Sequence, residues 1–325
     1  MLNNKHIVSF TAFTLLLTAC GGSDDNVLLD GNSQLPSFSL AVSDAPVDDL
    51  SEVVVCFNQI ELKGNSVDTV FTVGTEDGMI AANDLCLDDS GDVLANTVGI
   101  DLLQYSGSNS IVLVDGISIE AGDYTQLRLI MSDGSYGTDA QTSEKISVSV
   151  PSNELKLDGF TASIGGTVDF TLEFDLNKAM TNPVGQNGYF LKPRGVRLVN
   201  NNEAGHIDGT VAETLLIDNQ CMPLSDPTEN VASVYIYEGA DLAFDSLEDN
   251  GGNDSANLPY ASTAVTFDSS QTSYNFEIGF IKVGNYTIAI SCATEDNPEV
   301  NEDISFIETQ NVTVVAGNTP VQVSF

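Results

Sequence analysis

The chain has 325 residues, with 10 Lys+Arg against 47 Asp+Glu and a formal net charge of −37 at pH 7. This excess of acid argues against a nucleic-acid partner, because neutralising phosphates requires clustered Lys and Arg. Hydrophobic residues make up 42% of the chain. That content is too high for a disordered acidic chain and sufficient for packed cores, and the length suits about two domains.

The first twenty residues have the pattern of an export signal. A short polar start with Lys5 precedes the mostly apolar residues 7–19, a run shorter than the roughly 20 residues that span a bilayer. The run closes on Leu17-Thr18-Ala19-Cys20, which resembles a bacterial lipobox. The resemblance implies that residues 1–19 are a signal peptide and that Cys20 is lipidated. The alternatives are an ordinary cleaved signal or an uncleaved anchor.

Lipidation would attach the protein to the membrane without a membrane-spanning segment. The acyl chains supply the binding energy, because each methylene that they bury in the bilayer contributes about 0.8 kcal/mol. In the lipoproteins that this pattern resembles, a residue other than Asp after the lipidated Cys favours export to the outer membrane, and this chain has Gly21. We therefore expect a lipoprotein of the cell envelope, at the outer membrane, with residues 20–35 as a flexible tether.

Four cysteines follow the lipobox: Cys56, Cys86, Cys221 and Cys292. Export to an oxidising compartment favours disulfides, and four cysteines allow three pairings. We favour Cys56–Cys86 with Cys221–Cys292, because this pairing places one bridge in each half. Zinc binding is disfavoured because the chain has no CxxC pair.

Catalytic patterns are scarce in the sequence. Beyond the signal the chain has one histidine, His206, and it has no GxSxG, HExxH or Walker-type loop. The part before His206 therefore lacks His-based triads, Cys-His pairs and His-ligated metals. We predict that the protein is not an enzyme, although Ser-Lys or carboxylate-only chemistry stays open.

The rest of the chain is predicted to be all-β, as two antiparallel β-sandwich domains at residues 36–200 and 205–325. Short segments of alternating polarity between turn signals support this. Phe170, Leu172 and Phe174, for example, alternate with polar residues and predict a half-buried antiparallel strand. Strands are expected at residues 38–42, 53–62, 67–73, 124–131, 146–150, 168–176 and 190–199, and at 207–211, 231–238, 262–267, 273–280, 285–292, 310–315 and 321–325.

One short motif occurs in both halves. Gly122-Asp123-Tyr124-Thr125 and Gly284-Asn285-Tyr286-Thr287 each predict a glycine turn followed by a tyrosine at a sheet corner. Two explanations would account for this repeat. The two halves are related sandwiches, or both use a common type of β-turn.

The first half resembles the DUF4382 family, a domain of unknown function found in bacterial lipoproteins. The matching segments are residues 40–46, 53–55, 60–62, 121–129, 174–176 and 191–194. The resemblance implies a β-rich domain and supplies no activity. The second half resembles carboxypeptidase-regulatory or prealbumin-like sandwiches through residues 209–211, 232–237, 283–287 and 312–317, which implies a binding or spacer module.

Acidic clusters offer candidate Ca²⁺ sites, because Ca²⁺ takes several oxygen ligands on flexible segments. The first candidate combines Asp44, Asp48 and Asp49, expected in a loop after the first strand, with Asp133 from another loop. Two further clusters are Asp84, Asp88, Asp89 and Asp92, and Asp245, Glu248, Asp249 and Asp254. The alternative for each is a solvated acidic surface.

Cations are concentrated in one segment, at Lys178, Lys192, Arg194 and Arg197. Cross-strand pairing with Glu173 and Asp175 is one interpretation. The other is an anchor for an acidic glycan or a protein partner.

We therefore predict a non-enzymatic, envelope-anchored binding or scaffold module. The alternative is a carbohydrate-binding accessory protein in polysaccharide use, with Tyr136, Tyr189 and Tyr260 as aromatic platforms. The chain has no Trp and its aromatic content is 7%, which weakens this alternative.

Overall fold

The computed structural model describes residues 34–45, 50–64, 68–183, 185, 188–221, 231–252, 257–294, 296–302 and 304–325. The signal peptide, Cys20 and the tether up to residue 33 lie outside the described residues, as do Asp48, Asp49 and Asp254. Residues 34–325 form one compact unit. Within the described ranges, no helix is long and apolar enough to cross a bilayer.

The first half consists of short strands with few helical turns. The strands are β1 (Ser37–Ala45), β2 (Leu50–Gly64), β3 (Asp68–Thr72), β4 (Val98–Asp101), β5 (Ile111–Ser118), β6 (Gly122–Met131), β7 (Tyr136–Asp139), β8 (Lys145–Ser149), β9 (Glu154–Ala162), β10 (Thr167–Asp175), β11 (Met180–Thr181), β12 (Tyr189–Leu191) and β13 (Val196–Asn200). The helix α1 (Leu176–Ala179) follows β10, and 3₁₀ turns lie at Leu102–Gln104, Pro151–Asn153, Pro193–Gly195 and Asn201–Glu203.

The second half has strands at all seven predicted positions. They are β14 (Ala204–Val211), β15 (Ala232–Glu238), β16 (Ala261–Asp268), β17 (Ser273–Lys282), β18 (Gly284–Ser291), β19 (Phe306–Val314) and β20 (Val321–Ser324). The helix α2 (Glu213–Asp218) follows β14, and a 3₁₀ turn lies at Phe244–Ser246.

The strands form three sheets. A 4-stranded sheet has the order β13-β10-β1-β5, a 9-stranded sheet has β11-β12-β8-β7-β2-β6-β9 with β3 and β4 also on β2, and a 7-stranded sheet has β19-β18-β15-β16-β17-β14-β20. Phe38 and Leu172 from the smallest sheet share a core with Ile60 and Leu129 from the largest. The predicted all-β class is therefore confirmed, with two sheets facing each other across a core in the first half.

Strand β10 differs from its prediction. It pairs in parallel with β1, in the register Phe38↔Val168, and antiparallel with β13. From Thr171 to Asp175 all of its side chains are buried. Alternating polarity indicates which side chains of a strand face the core and which face away. It does not indicate whether the neighbouring strand runs parallel or antiparallel. The polar face of β10 is buried because β16 of the second half covers it.

The repeated glycine-tyrosine motif has the same geometry in both halves. Gly122 begins β6 and Gly284 begins β18. Tyr124 Oη donates to the carbonyl of Glu120 at 2.9 Å, and Tyr286 Oη donates to the carbonyl of Lys282 at 2.7 Å. Each tyrosine thus bonds the backbone four residues before it, which fixes the chain's entry into the strand, as in a tyrosine corner.

Both favoured disulfides are present. Cys56 in β2 bonds Cys86 in the segment before β4, and both side chains are completely buried. Cys221, which follows α2, bonds Cys292 at the end of β18. The first bridge therefore ties a segment outside the sheets to β2, and the second joins the segments that follow α2 and β18.

Candidate functional site

Asp175 connects the two halves. It is the last residue of β10, and its Oδ1 caps α1 by accepting the backbone N–H of Lys178 at 3.2 Å. Its Oδ2 accepts the backbone N–H of Ser262 in β16 at 2.9 Å, and the Ser262 hydroxyl donates to the same carboxylate. One buried side chain therefore fixes the start of α1 and the position of β16.

Two further acids are completely buried beside Asp175, namely Asp44 and Glu173. Neither oxygen of Asp44 has a hydrogen-bond partner among the described residues. Burial, and then the charge of Glu173, raise the pKa of Asp44 well above its ordinary value. Burial raises the pKa of Glu173 to about 8, although Arg197 opposes the shift. The protonated forms of these acids are therefore favoured in the folded protein.

The burial of Glu173 predicts a specific pH dependence of stability. Its pKa rises from an ordinary value of 4.5 to about 8 on folding, so its contribution is full below pH 4.5 and is lost as the pH rises towards 8. The slope for one group is about 1.4 kcal/mol per pH unit. Glu173→Gln should flatten the fall of the unfolding free energy between pH 5 and 8, measured by urea denaturation. An unchanged slope in the variant, compared with the exposed control Glu144→Gln, would disprove this assignment.

Arg197 lies on β13 directly opposite Glu173 on β10. Its Nη2 is 4.0 Å from Glu173 Oε1, and its Nη1 donates to the carbonyl of Tyr260 at 3.3 Å. The guanidinium carbon lies 4.9 Å from the centroid of the Tyr260 ring. Its Nε and Nη2 are buried and have no hydrogen-bond partner among the described residues. Arg197 is thus anchored by Tyr260, while two of its nitrogens are enclosed by the protein.

Tyr260 is held in place from the second half. Its hydroxyl accepts the backbone N–H of Lys282 at 3.3 Å, and its ring packs at 5.6 Å, centroid to centroid, against Tyr286. The ring is therefore fixed on one side by the sandwich core and on the other by Arg197. A side chain immobilised in this way loses little conformational entropy when a ligand binds.

Two cavities share Arg197 and Tyr260 in their linings, and we call them together the junction groove. The first, of about 460 Å³, is also lined by Lys178 and Arg194. The second, of about 440 Å³, is also lined by Lys156 and Lys282. Acidic side chains in the linings are Glu238, Asp158 and Glu203. Five of the 10 Lys and Arg residues of the chain thus meet in one groove.

Three of the four clustered cations predicted from the sequence line the groove. Lys178 Nζ donates to the carbonyl of Pro259 at 2.8 Å, and burial lowers the pKa of Lys178, although Asp175 opposes the shift. Arg194 Nε donates to the carbonyl of Lys178 at 3.1 Å. Lys192 instead forms an ion pair with Glu299. Lys192 and Arg194 do not share a strand, because a 3₁₀ turn begins at Pro193.

The three tyrosines proposed as sugar platforms have different environments. Tyr260 lines the groove. The ammonium of Lys145 lies 3.5 Å from the centroid of the Tyr136 ring, and the Tyr136 hydroxyl donates a hydrogen bond to Glu52. Tyr189 is partly buried and packs against the core of the first half. Of the three, Tyr260 alone lines the two cavities around the clustered cations.

The calcium site predicted at Asp44, Asp48, Asp49 and Asp133 is altered by the structure in one respect. Asp44 does not lie in a loop, because β1 continues to Ala45 through its pairing with β10. Asp133 is exposed between β6 and β7. With Asp48 and Asp49 outside the described residues, calcium binding by these four stays a prediction.

Residues 36–193 match the model of a family described as a domain of unknown function, DUF4382. This match covers most of the first half and agrees with the resemblance of its sequence segments. The prealbumin-like character of the second half stays a prediction. No curated protein matches the chain.

The similar solved structures include the major pilin subunit BcpA of Bacillus cereus, which is 8% identical over 89% of this chain and 69% of that chain, with a TM-score of 0.18. The minor pilin of Streptococcus agalactiae is 12% identical over 89% of this chain and 94% of its own, with a TM-score of 0.18. A protein described as a cell adhesion protein from Bacteroides fragilis is 10% identical over 89% and 91%, with a TM-score of 0.19. Scores at this level carry no argument about function.

Proposed function

We propose that this protein is a non-enzymatic binding module held in the cell envelope by a lipid on Cys20, and that the junction groove binds an acidic glycan. The observation that carries the proposal is the convergence of five of the 10 cations on one groove in a chain with 47 acids. The anchoring part rests on Leu17-Thr18-Ala19-Cys20.

The chemistry of the groove suits a carboxylate or sulfate on a sugar ring. A guanidinium presents a planar set of donors that matches such groups, and the guanidinium side chains of Arg194 and Arg197 both line the groove. Tyr260 lines the groove beside Arg197, whose guanidinium lies over its ring. Lys178 and Arg194 on one side, and Lys156 and Lys282 on the other, would accommodate acidic units that follow each other along a chain.

The net charge of −37 repels a long polyanion, but this repulsion acts at long range. At 0.15 M salt the screening length is about 8 Å, so repulsion from distant acids is reduced while contacts inside a cavity persist. The expected ligand is therefore a short acidic oligosaccharide or an acidic end of a longer glycan, bound at physiological or higher ionic strength.

A titration of the mature, detergent-solubilised protein with tetragalacturonate tests the proposal. The fully methyl-esterified tetrasaccharide is the matched ligand control, because it has the same sugar without the charge. We expect the acid to bind and its ester to bind at least tenfold more weakly. Arg194→Gln should weaken binding of the acid about tenfold or more, as expected for loss of one charge-assisted contact.

Lys63→Gln is the matched protein control. It also removes one positive charge, but Lys63 pairs with Glu61 and Asp68 and lies outside the groove lining. Equal affinity for the acid and the ester, or the same loss in Lys63→Gln as in Arg194→Gln, would contradict a groove site for an acidic glycan.

A further inference from the structure

Three carboxylates from two loops of the second half meet at one place. Asp249 lies in the segment between β15 and β16, whereas Asp296 and Glu302 lie in the segment between β18 and β19. One oxygen from each of the three lies within 4.8 Å of the other two. They are the single group of metal-ligating side chains of this kind in the part of the chain that the structure describes.

The backbone of the two loops holds these carboxylates in a reciprocal arrangement. Asp249 Oδ2 accepts the N–H of Glu302, and Asp296 Oδ2 accepts the N–H of Asn250 at 3.1 Å. Glu302 Oε2 accepts the N–H of Asn297 at 2.9 Å. Each carboxylate therefore uses one oxygen to fix a loop, and Asp296 also interacts with the Tyr235 hydroxyl. The second oxygen of Asp249 is oriented without being used.

Buried oxygens at this place have no hydrogen-bond partner. Asp249 is 1% exposed, and its Oδ1 is unpartnered among the described residues. The Oδ1 of Asn250, a residue that is 7% exposed, is buried and unpartnered as well. Buried oxygens without a partner cost free energy, and two of them on adjacent residues of the same loop point to a missing positively charged group.

No side-chain cation supplies that charge within the described ranges. None of their ion pairs involves Asp249, Asp296 or Glu302, and the nearby Glu299 is the residue that pairs with Lys192. Lys178 interacts with Asp296 only at longer range. Three carboxylates and an amide oxygen without an ion-paired Lys or Arg form a hard oxygen donor set.

We propose that Asp249, Asp296 and Glu302 bind a calcium ion that ties the loop before β16 to the loop before β19. Calcium accepts irregular shells of 6–8 oxygens from loops, whereas Mg²⁺ demands compact octahedral geometry. Asn250 Oδ1, backbone carbonyls and water would complete the shell. The loop before β16 also carries Asn257 and Pro259 into the groove lining, so calcium would stabilise one wall of the groove.

Isothermal titration of the mature full-length protein with CaCl₂ at 0.15 M KCl tests this site directly. We expect one Ca²⁺ per chain, a calcium-induced rise in the melting temperature, and a clearly smaller effect of MgCl₂. Asp249→Asn should abolish both responses. Glu302→Gln should weaken calcium binding about tenfold or more, and it serves as a second variant because Glu302 is exposed and its change leaves the core intact.

Glu144→Gln is the control, because it removes an exposed acid that belongs to neither candidate calcium site and should retain both responses. Three results would overturn the proposal: no calcium-specific heat or melting shift in the parent protein, equal responses to Ca²⁺ and Mg²⁺, or calcium binding retained by a folded Asp249→Asn and by Glu302→Gln. Because calcium is measured without a glycan, a negative result here leaves the glycan proposal to its own test.

Discussion

Replacing Asp175 by Ala should destabilise the protein by about 2–5 kcal/mol. The carboxylate is completely buried and accepts the backbone N–H groups of Lys178 and Ser262 together with the Ser262 hydroxyl. Its removal leaves two buried backbone donors without partners, at about 1–3 kcal/mol each, and creates a cavity. Urea denaturation at pH 7 would measure the change in unfolding free energy.

Matched variants separate the lost hydrogen bonds from a general effect of removing acid. Asp175→Asn keeps one acceptor oxygen and should lose less stability than Asp175→Ala. Asp133→Ala removes an exposed acid and should change stability by less than about 0.5 kcal/mol. If Asp175→Ala were as stable as Asp133→Ala, the carboxylate would not be the connection between the halves that its contacts indicate.

Loss of the Cys56–Cys86 bridge should cost about 3–4 kcal/mol. The bridge closes a loop with a sequence separation of 30 residues, which gives this magnitude in the chain-entropy model. Both cysteines are completely buried and pack against Val54, so two serine hydroxyls would add a desolvation cost. Cys56→Ser combined with Cys86→Ser, compared with the parent protein by urea denaturation, measures the effect.

A loss of unfolding free energy below about 1 kcal/mol, with each protein's own denaturant dependence used for the extrapolation, would contradict this prediction. The dependence itself should be steeper in the variant, because the unfolded chain without the cross-link exposes more surface.

The sequence predicted the second half better than the first. Its strands follow turns rich in Gly, Asn and Ser, and period-two alternation is a local signal. In the first half, β4, β5, β7, β9 and β11 were not predicted. Strand β9 does carry the signal, since Leu155 and Leu157 are buried between Glu154, Lys156 and Asp158. Strands β4 and β7 are four residues long, too short to show a period.

The candidate sites could be predicted only in part, because each is assembled across distant segments. The cation cluster was visible in the sequence, but Lys156 and Lys282 reach the groove only through folding. Alternation placed Glu173 on a polar face, and nothing local to β10 shows that β16 covers this face. Likewise, Asp249 belongs to a predicted acidic cluster, but Asp296 and Glu302 come from the loop after β18. Their spacing along the chain does not reveal that these three carboxylates lie close together.

The central claim is that the groove around Arg197 and Tyr260 is the binding surface of this protein. Mapping of backbone amide chemical shifts by NMR, with tetragalacturonate added to the mature protein at 0.15 M salt, tests it most directly. We predict saturable shifts clustered at Lys178, Arg194, Arg197 and Tyr260, with the methyl ester requiring at least tenfold higher concentrations for the same shifts. Shifts that cluster on another face, or no saturable shifts at millimolar ligand, would contradict it.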